Sequence, residues 1–135
     1  MNRRPLIAIV DDDRSSREST QFLLRSAGYR AEVFASARDF HDSVLQDETA
    51  CLILDLRMPG MDGLELQRRL IEARQQIPII FITAQGTENE EGRARMAGAV
   101  DFLRKPVNDR KLVSAIQSAL AEGGTMKGRN DDNNA

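Results

Sequence analysis

The stretch Ala50-Cys51-Leu52-Ile53-Leu54-Asp55-Leu56-Arg57-Met58-Pro59-Gly60-Met61-Asp62-Gly63 decides how this chain is read. Cys51 to Leu54 is an unbroken apolar run, the pattern of a strand buried on both faces, and it stops at the carboxylate of Asp55. Pro59-Gly60 marks a loop. Asp62 then opens an amphipathic helix as its N-cap, with Glu65 placed to complete a capping box. Asp55 is therefore expected at the end of a rigid strand and facing an open crevice, which makes it the candidate reactive group.

The flanking segments repeat the same alternation. Leu6-Ile7-Ala8-Ile9-Val10 is a second apolar run that ends in Asp11-Asp12-Asp13, and a helix follows from Arg14 to the stop at Gly28. Tyr29 to Phe34 alternates polar and apolar, as an edge strand does; Ser36 and Asp39 start a helix carrying Phe40, Val44 and Leu45. After a third helix with Leu64, Leu66, Leu70 and Ile71 comes a strand over Ile77 to Ile82, ending at Thr83. Thr87 and Glu90 form a capping box for a fourth helix that Gly92 weakens and that is expected to be mobile. Val100 to Leu103 is a short edge strand leading into Arg104-Lys105-Pro106, and Asn108 caps a last helix bearing Leu112, Val113, Ile116 and Leu120. Five strands alternating with five helices imply an α/β, doubly wound parallel sheet of order 2-1-3-4-5, the flavodoxin-like arrangement, in one domain over residues 5–121. The composition after Gly123 has little to bury, and residues 122–135 are expected to form a disordered tail.

Composition narrows the function. A chain of 135 residues with 41% apolar content closes one core, and a net charge of −2 offers no basis for nucleic-acid or anionic-membrane binding. The single cysteine, Cys51, falls in a buried strand, which points to a reducing, cytoplasmic setting, and no apolar run is long enough to span a membrane.

The predicted order places the ends of the first and third strands side by side, so Asp11, Asp12 and Asp55 meet. Crowded carboxylates repel, and a divalent cation offsets that repulsion best; magnesium suits a shallow site of this kind. Asp55 is then free to accept a phosphoryl group as an acyl phosphate, with the Thr83 hydroxyl and the Lys105 ammonium, at the ends of the fourth and fifth strands, supporting its oxygens. Singly, each residue has a plainer role: helix capping for the aspartates, turn formation for Asp55, a strand end for Thr83 and a solvated lysine for Lys105. Their combination at successive strand ends favours one phosphate-and-metal site.

The motifs Ile9-Val10-Asp11-Asp12-Asp13, Leu54 through Gly63, Ile82-Thr83-Ala84 and Gly98 through Pro106 together resemble the receiver domain of two-component response regulators. The wording is similar to the FixJ type, within the CheY-like fold. The resemblance implies that Asp55 is the phosphoacceptor, that Asp12, with Asp11 beside it, holds Mg2+ or Mn2+, and that Arg57 adds its backbone carbonyl. It implies further that Thr83 and Lys105 contact the phosphoryl group and that Phe102 is an aromatic switch swinging inward as Thr83 moves. Arg57 and Gln85 would tune phosphoryl lifetime, and Lys105-Pro106 would be cis. The implied partners are a sensor histidine kinase or histidine phosphotransfer protein and an unnamed downstream protein, with a phosphorylation-dependent homodimer through the fourth helix, fifth strand and fifth helix. Val107 replaces the phenylalanine that often follows Lys-Pro. The resulting expectation is a single-domain phosphorelay regulator that is not a turnover enzyme. A metal-dependent phosphohydrolase and a phosphorylation-independent interaction module are the alternatives, and Arg57 stands where such hydrolases place a second aspartate.

Overall fold

The computed structural model describes residues 4–134, with side chains described for 4–121. The elements run β1 (Leu6–Val10), α1 (Arg14–Ser26), β2 (Arg30–Phe34), α2 (Ala37–His41), β3 (Thr49–Asp55), α3 (Gly63–Glu72), β4 (Ile79–Thr83), α4 (Glu88–Met96), β5 (Asp101–Arg104) and α5 (Asp109–Asn134). The strands form one parallel sheet in the order β2-β1-β3-β4-β5. Both expected edges are edges.

Each central strand is apolar on both faces because each face meets helices. On one side Ala8, Val10, Leu52, Leu54 and Phe81 pack with Phe40, Leu66, Leu70 and Ala94, so α2, α3 and α4 cover it. On the other, Ile7, Ile9, Ile53 and Ile80 pack with Leu24, Leu112, Ala115 and Ile116 from α1 and α5. Successive strand residues fall in opposite clusters, the period-two signature of a strand. Complete burial of one such Ile or Leu contributes about 1.5–3 kcal/mol. Cys51 belongs to the second cluster, where burial pushes its thiol up to about 12 and leaves it an inert apolar residue.

Local chemistry sets the helix ends. Asp13, Ser36, Asp62 and Thr87 cap α1, α2, α3 and α4, each accepting from the backbone N–H three residues on. The C-termini of α1, α3 and α4 close through the same pair of backbone bonds, with Gly28, Arg74 and Gly98 in the left-handed region. Arg74, at φ 59°, is the one of the three with a Cβ to strain.

Several expectations need correction. The second helix stops at His41, and Val44, expected on its packed face, lies in a following 3-10 turn (Val44–Glu48) and is 88% exposed. Glu65 does not close a capping box on Asp62; its carboxylate pairs with Arg69 one turn on, a competing partner at helical spacing. Pro78 precedes β4 and contributes only its carbonyl, to Leu52 N–H at 2.9 Å. The fourth helix runs unbroken through Gly92 from Glu88 to Met96, with the complete Thr87–Glu90 capping box that was expected. The fifth helix is followed in backbone through Asn134. Ala135 lies outside the described residues.

Candidate functional site

The register aligns the carboxyl ends of four strands. Val10 pairs with Leu54, Asp55 with Ile82 and Thr83 with Arg104, so Asp11, Asp55, Thr83 and Lys105 leave the same edge of the sheet. Asp11 is fully buried and Asp55 nearly so. The Lys105 ammonium sits between them, donating to Asp11 Oδ2 at 3.0 Å and to Asp55 Oδ2 at 3.1 Å. Asp55 Oδ1 accepts from Arg57 N–H at 3.2 Å, and Asp11 Oδ1 from Asp13 N–H at 2.9 Å. Asp12 is exposed, yet carboxylate oxygens of Asp11, Asp12 and Asp55 lie within 4.8 Å of one another. The three consecutive aspartates thus divide their work: Asp13 caps α1, while Asp11 and Asp12 face the crevice.

Electrostatics separates the two buried acids. Burial dominates at Asp55 and, with Asp11 nearby, raises its carboxyl to about 6 despite the Lys105 hydrogen bond. At Asp11 burial pushes upward too, but the Asp13 N–H and the Lys105 ammonium outweigh it and hold the group below its usual range. Burial would lower the Lys105 pKa, yet its bonds to Asp11 and Asp55 raise it. Three carboxylates against one ammonium leave a formal deficit of two charges, and this all-oxygen donor set fits a hard divalent cation.

Thr83 is buried, and its Oγ1 accepts from Gln85 N–H at 3.1 Å, which leaves the hydroxyl proton available. Phe102, the expected swinging aromatic, is already inside. The residue is 6% exposed, with its ring centroid 6.0 Å from that of Phe81 and beneath the Arg104 guanidinium at 5.7 Å. Gly86 is what lets it lie there, since a Cβ would come within 2.9 Å of both Phe102 Cζ and Thr83 Cγ2. The Lys105-Pro106 bond is cis, as the resemblance implied.

Arg57 and Gln85, singled out in sequence as separate residues, touch each other: Arg57 Nε donates to the Gln85 carbonyl at 2.9 Å. Arg57 Nη2 also donates to Glu90 Oε1 at 2.7 Å. Sequence reasoning saw Glu90 only as a cap, and a partner 33 residues from Arg57 leaves no local signature. Arg17 was missed as well; its Nη1 donates to the Asp11 carbonyl at 3.0 Å, bracing the loop after β1.

The family model of the response regulator receiver domain matches residues 7–117, across the whole of this arrangement. The chain belongs to the response regulator receiver family. The receiver is 45% identical over 119 residues to response regulator protein TmoT of Ectopseudomonas mendocina, a match covering 88% of this chain and 54% of that protein. It is 38% identical over 122 residues to transcriptional regulatory protein FixJ of Bradyrhizobium diazoefficiens, covering 90% of this chain and 60% of that one. The solved structure of response regulator StyR superposes with a TM-score of 0.89 at 40% identity, covering 98% of this chain and 67% of that chain. The receiver spans about half the length of the curated relatives it matches. Among the described residues no helix is long and apolar enough to cross a membrane.

Proposed function

We propose that this chain is a phosphorylation switch of a two-component relay, accepting a phosphoryl group on Asp55 from a phosphohistidine on a sensor kinase or phosphotransfer protein. The observation that carries the proposal is the Lys105 ammonium held at 3.0 and 3.1 Å between Asp11 and Asp55, with Asp12 adjacent. An Asp55 oxygen forms the new bond to phosphorus as the nitrogen–phosphorus bond breaks, and the electron pair returns to the donor imidazole, which takes up a proton. Lys105 already touches that carboxylate and follows the transferred group as a point charge, while Thr83 turns its free hydroxyl proton toward a phosphoryl oxygen. Asp11, Asp12, Asp55 and the Arg57 carbonyl would hold Mg2+ or Mn2+. When bound, that ion neutralises charge on the phosphoryl oxygens.

Movement of Thr83 toward the phosphoryl group opens the space its methyl shares with Gly86 and Phe102, so acceptor chemistry is read out by packing along β4, α4 and β5. The output is an altered protein surface on α4, β5 and α5, including pairing with a second copy. The receiver itself makes no nucleic-acid contact, consistent with its net charge of −2, and acts in the cytoplasm without multiple-turnover catalysis. The role assigned is the receiver's own step, which is the same whether the responding partner is a separate protein or a further segment of a longer chain.

Incubation with Mg2+ and acetyl phosphate, followed by intact mass, tests the reading. One added phosphoryl group in wild type and none in Asp55→Asn is expected. Phosphate release from unrelated monoesters would favour the hydrolase, and the lack of any adduct would favour the inert module.

A further inference from the structure

Arg57 crosses from the loop after β3 to the far side of the crevice, where its side chain bonds Gln85 in the loop after β4 and Glu90 in the first turn of α4. Its Nε is held by the Gln85 carbonyl, and the Gln85 N–H in turn holds Thr83 Oγ1. Its Nη2 is held by Glu90 Oε1, the same atom that accepts from Thr87 N–H at 3.0 Å and from the Thr87 hydroxyl at 3.2 Å. One carboxylate oxygen therefore closes the N-terminal cap of α4 and anchors a cation rooted two residues from the acceptor. The Arg57 side chain is 53% exposed, so only Glu90 and one carbonyl decide where the guanidinium sits.

We propose that Glu90 is a positioning residue for the acyl phosphate: it holds the Arg57 guanidinium off Asp55, and a phosphoryl group on Asp55 competes with it for that cation. This rests on the reading of Asp55 as acceptor. A phosphoryl group carries about −1.5 to −2 charge against the single charge of Glu90, and it forms two residues from Arg57. Loss of the group is hydrolysis. A water oxygen bonds to phosphorus, the bond from phosphorus to the Asp55 oxygen breaks with its electron pair left on the carboxylate, and a proton departs with inorganic phosphate or to solvent. That water must approach in line, from the open side opposite Asp55. With Glu90 in place this side stays clear; a guanidinium released onto the phosphoryl oxygens covers it and slows attack. When the cation is drawn to the phosphoryl group, the start of α4 also loses its Glu90 tie to the loop after β3.

The test loads wild type, Glu90→Gln, Arg57→Gln and the double variant with acetyl phosphate and Mg2+, removes the donor and follows loss of the added mass. Glu90→Gln keeps an oxygen for the Thr87 cap while removing the charge, which separates pairing from capping. Its acyl phosphate is expected to last roughly two- to fivefold longer, the scale of a half-exposed ion pair. In the Arg57→Gln background the same change should have no effect, and Glu90→Asp should restore the wild-type lifetime. A lifetime change that persists without Arg57, or none at all in Glu90→Gln, overturns the inference alone. Failure of wild type to take up the group overturns it together with the acceptor reading.

Discussion

Replacing Asp55 by Asn in metal-free protein removes a charge that the fold holds at a cost, and the size of that cost follows from its titration. The carboxyl is raised from 3.8 to about 6, chiefly by burial. The folded state therefore keeps a proton that the unfolded chain has already released between those values, and stability must fall as pH rises through this window. At about 1.4 kcal/mol per pH unit the interval amounts to about 3 kcal/mol, absent below about pH 4 and fully developed above about pH 7. Asn keeps an oxygen for the Arg57 N–H and cannot ionise. The stability of Asp55→Asn minus that of wild type, from urea unfolding in EDTA, should accordingly widen by about 3 kcal/mol between about pH 4 and pH 7. Asp11, held below its usual range, is already ionised across this window in both proteins, so the change in the difference belongs to Asp55. A gap that stays constant across the window would refute the reasoning, because it would mean that Asp55 ionises in the fold as readily as in water.

Three further substitutions probe the scaffold. Lys105→Met leaves two buried carboxylates without their shared ammonium and should destabilise the protein by about 3 kcal/mol near pH 8, with the loss shrinking at acid pH as Asp55 takes up a proton; urea midpoints at both pH values decide it. Gly63→Ala places a Cβ 2.5 Å from the Asp55 carbonyl oxygen and 3.0 Å from Phe81 Cε1, and should cost about 3 kcal/mol and depress phosphorylation by acetyl phosphate. Arg74→Gly relieves a left-handed residue at the end of α3 and should stabilise by about 1 kcal/mol, read as a raised melting temperature with unchanged phosphoryl uptake.

The sheet was legible because its evidence is local and redundant. The run from Cys51 to Leu54 has no other comfortable fate than a buried strand, and the two alternating strands had to be edges. Asp11, Asp55, Thr83 and Lys105 were legible for the same reason, since strand order alone decides that their ends converge. What the sequence concealed depends on which of several partners a flexible side chain selects. Glu65 could serve Asp62 or Arg69, and only the folded geometry favours Arg69. Glu90 serves its cap and Arg57 together, and no spacing rule joins positions that far apart. Val44 shows the opposite failure, a helical pattern extended past the turn at which the chain leaves the helix.

The lack of room around Gly63 gives the crevice a fixed wall and a movable one. Its N–H is bonded to the Leu56 carbonyl at 3.0 Å, and its α-carbon is packed too tightly against the acceptor strand for α3 to shift without dislodging Asp55 itself. Opposite it, the loop after β4 is fastened by solvent-facing arginines, Arg57 on the Gln85 carbonyl and Arg104 on the Gly86 carbonyl at 2.7 Å, which water can replace. If Asp55 takes up the proposed phosphoryl group, the swelling would be channelled toward α4 and β5, as a door moves on the side away from its hinge.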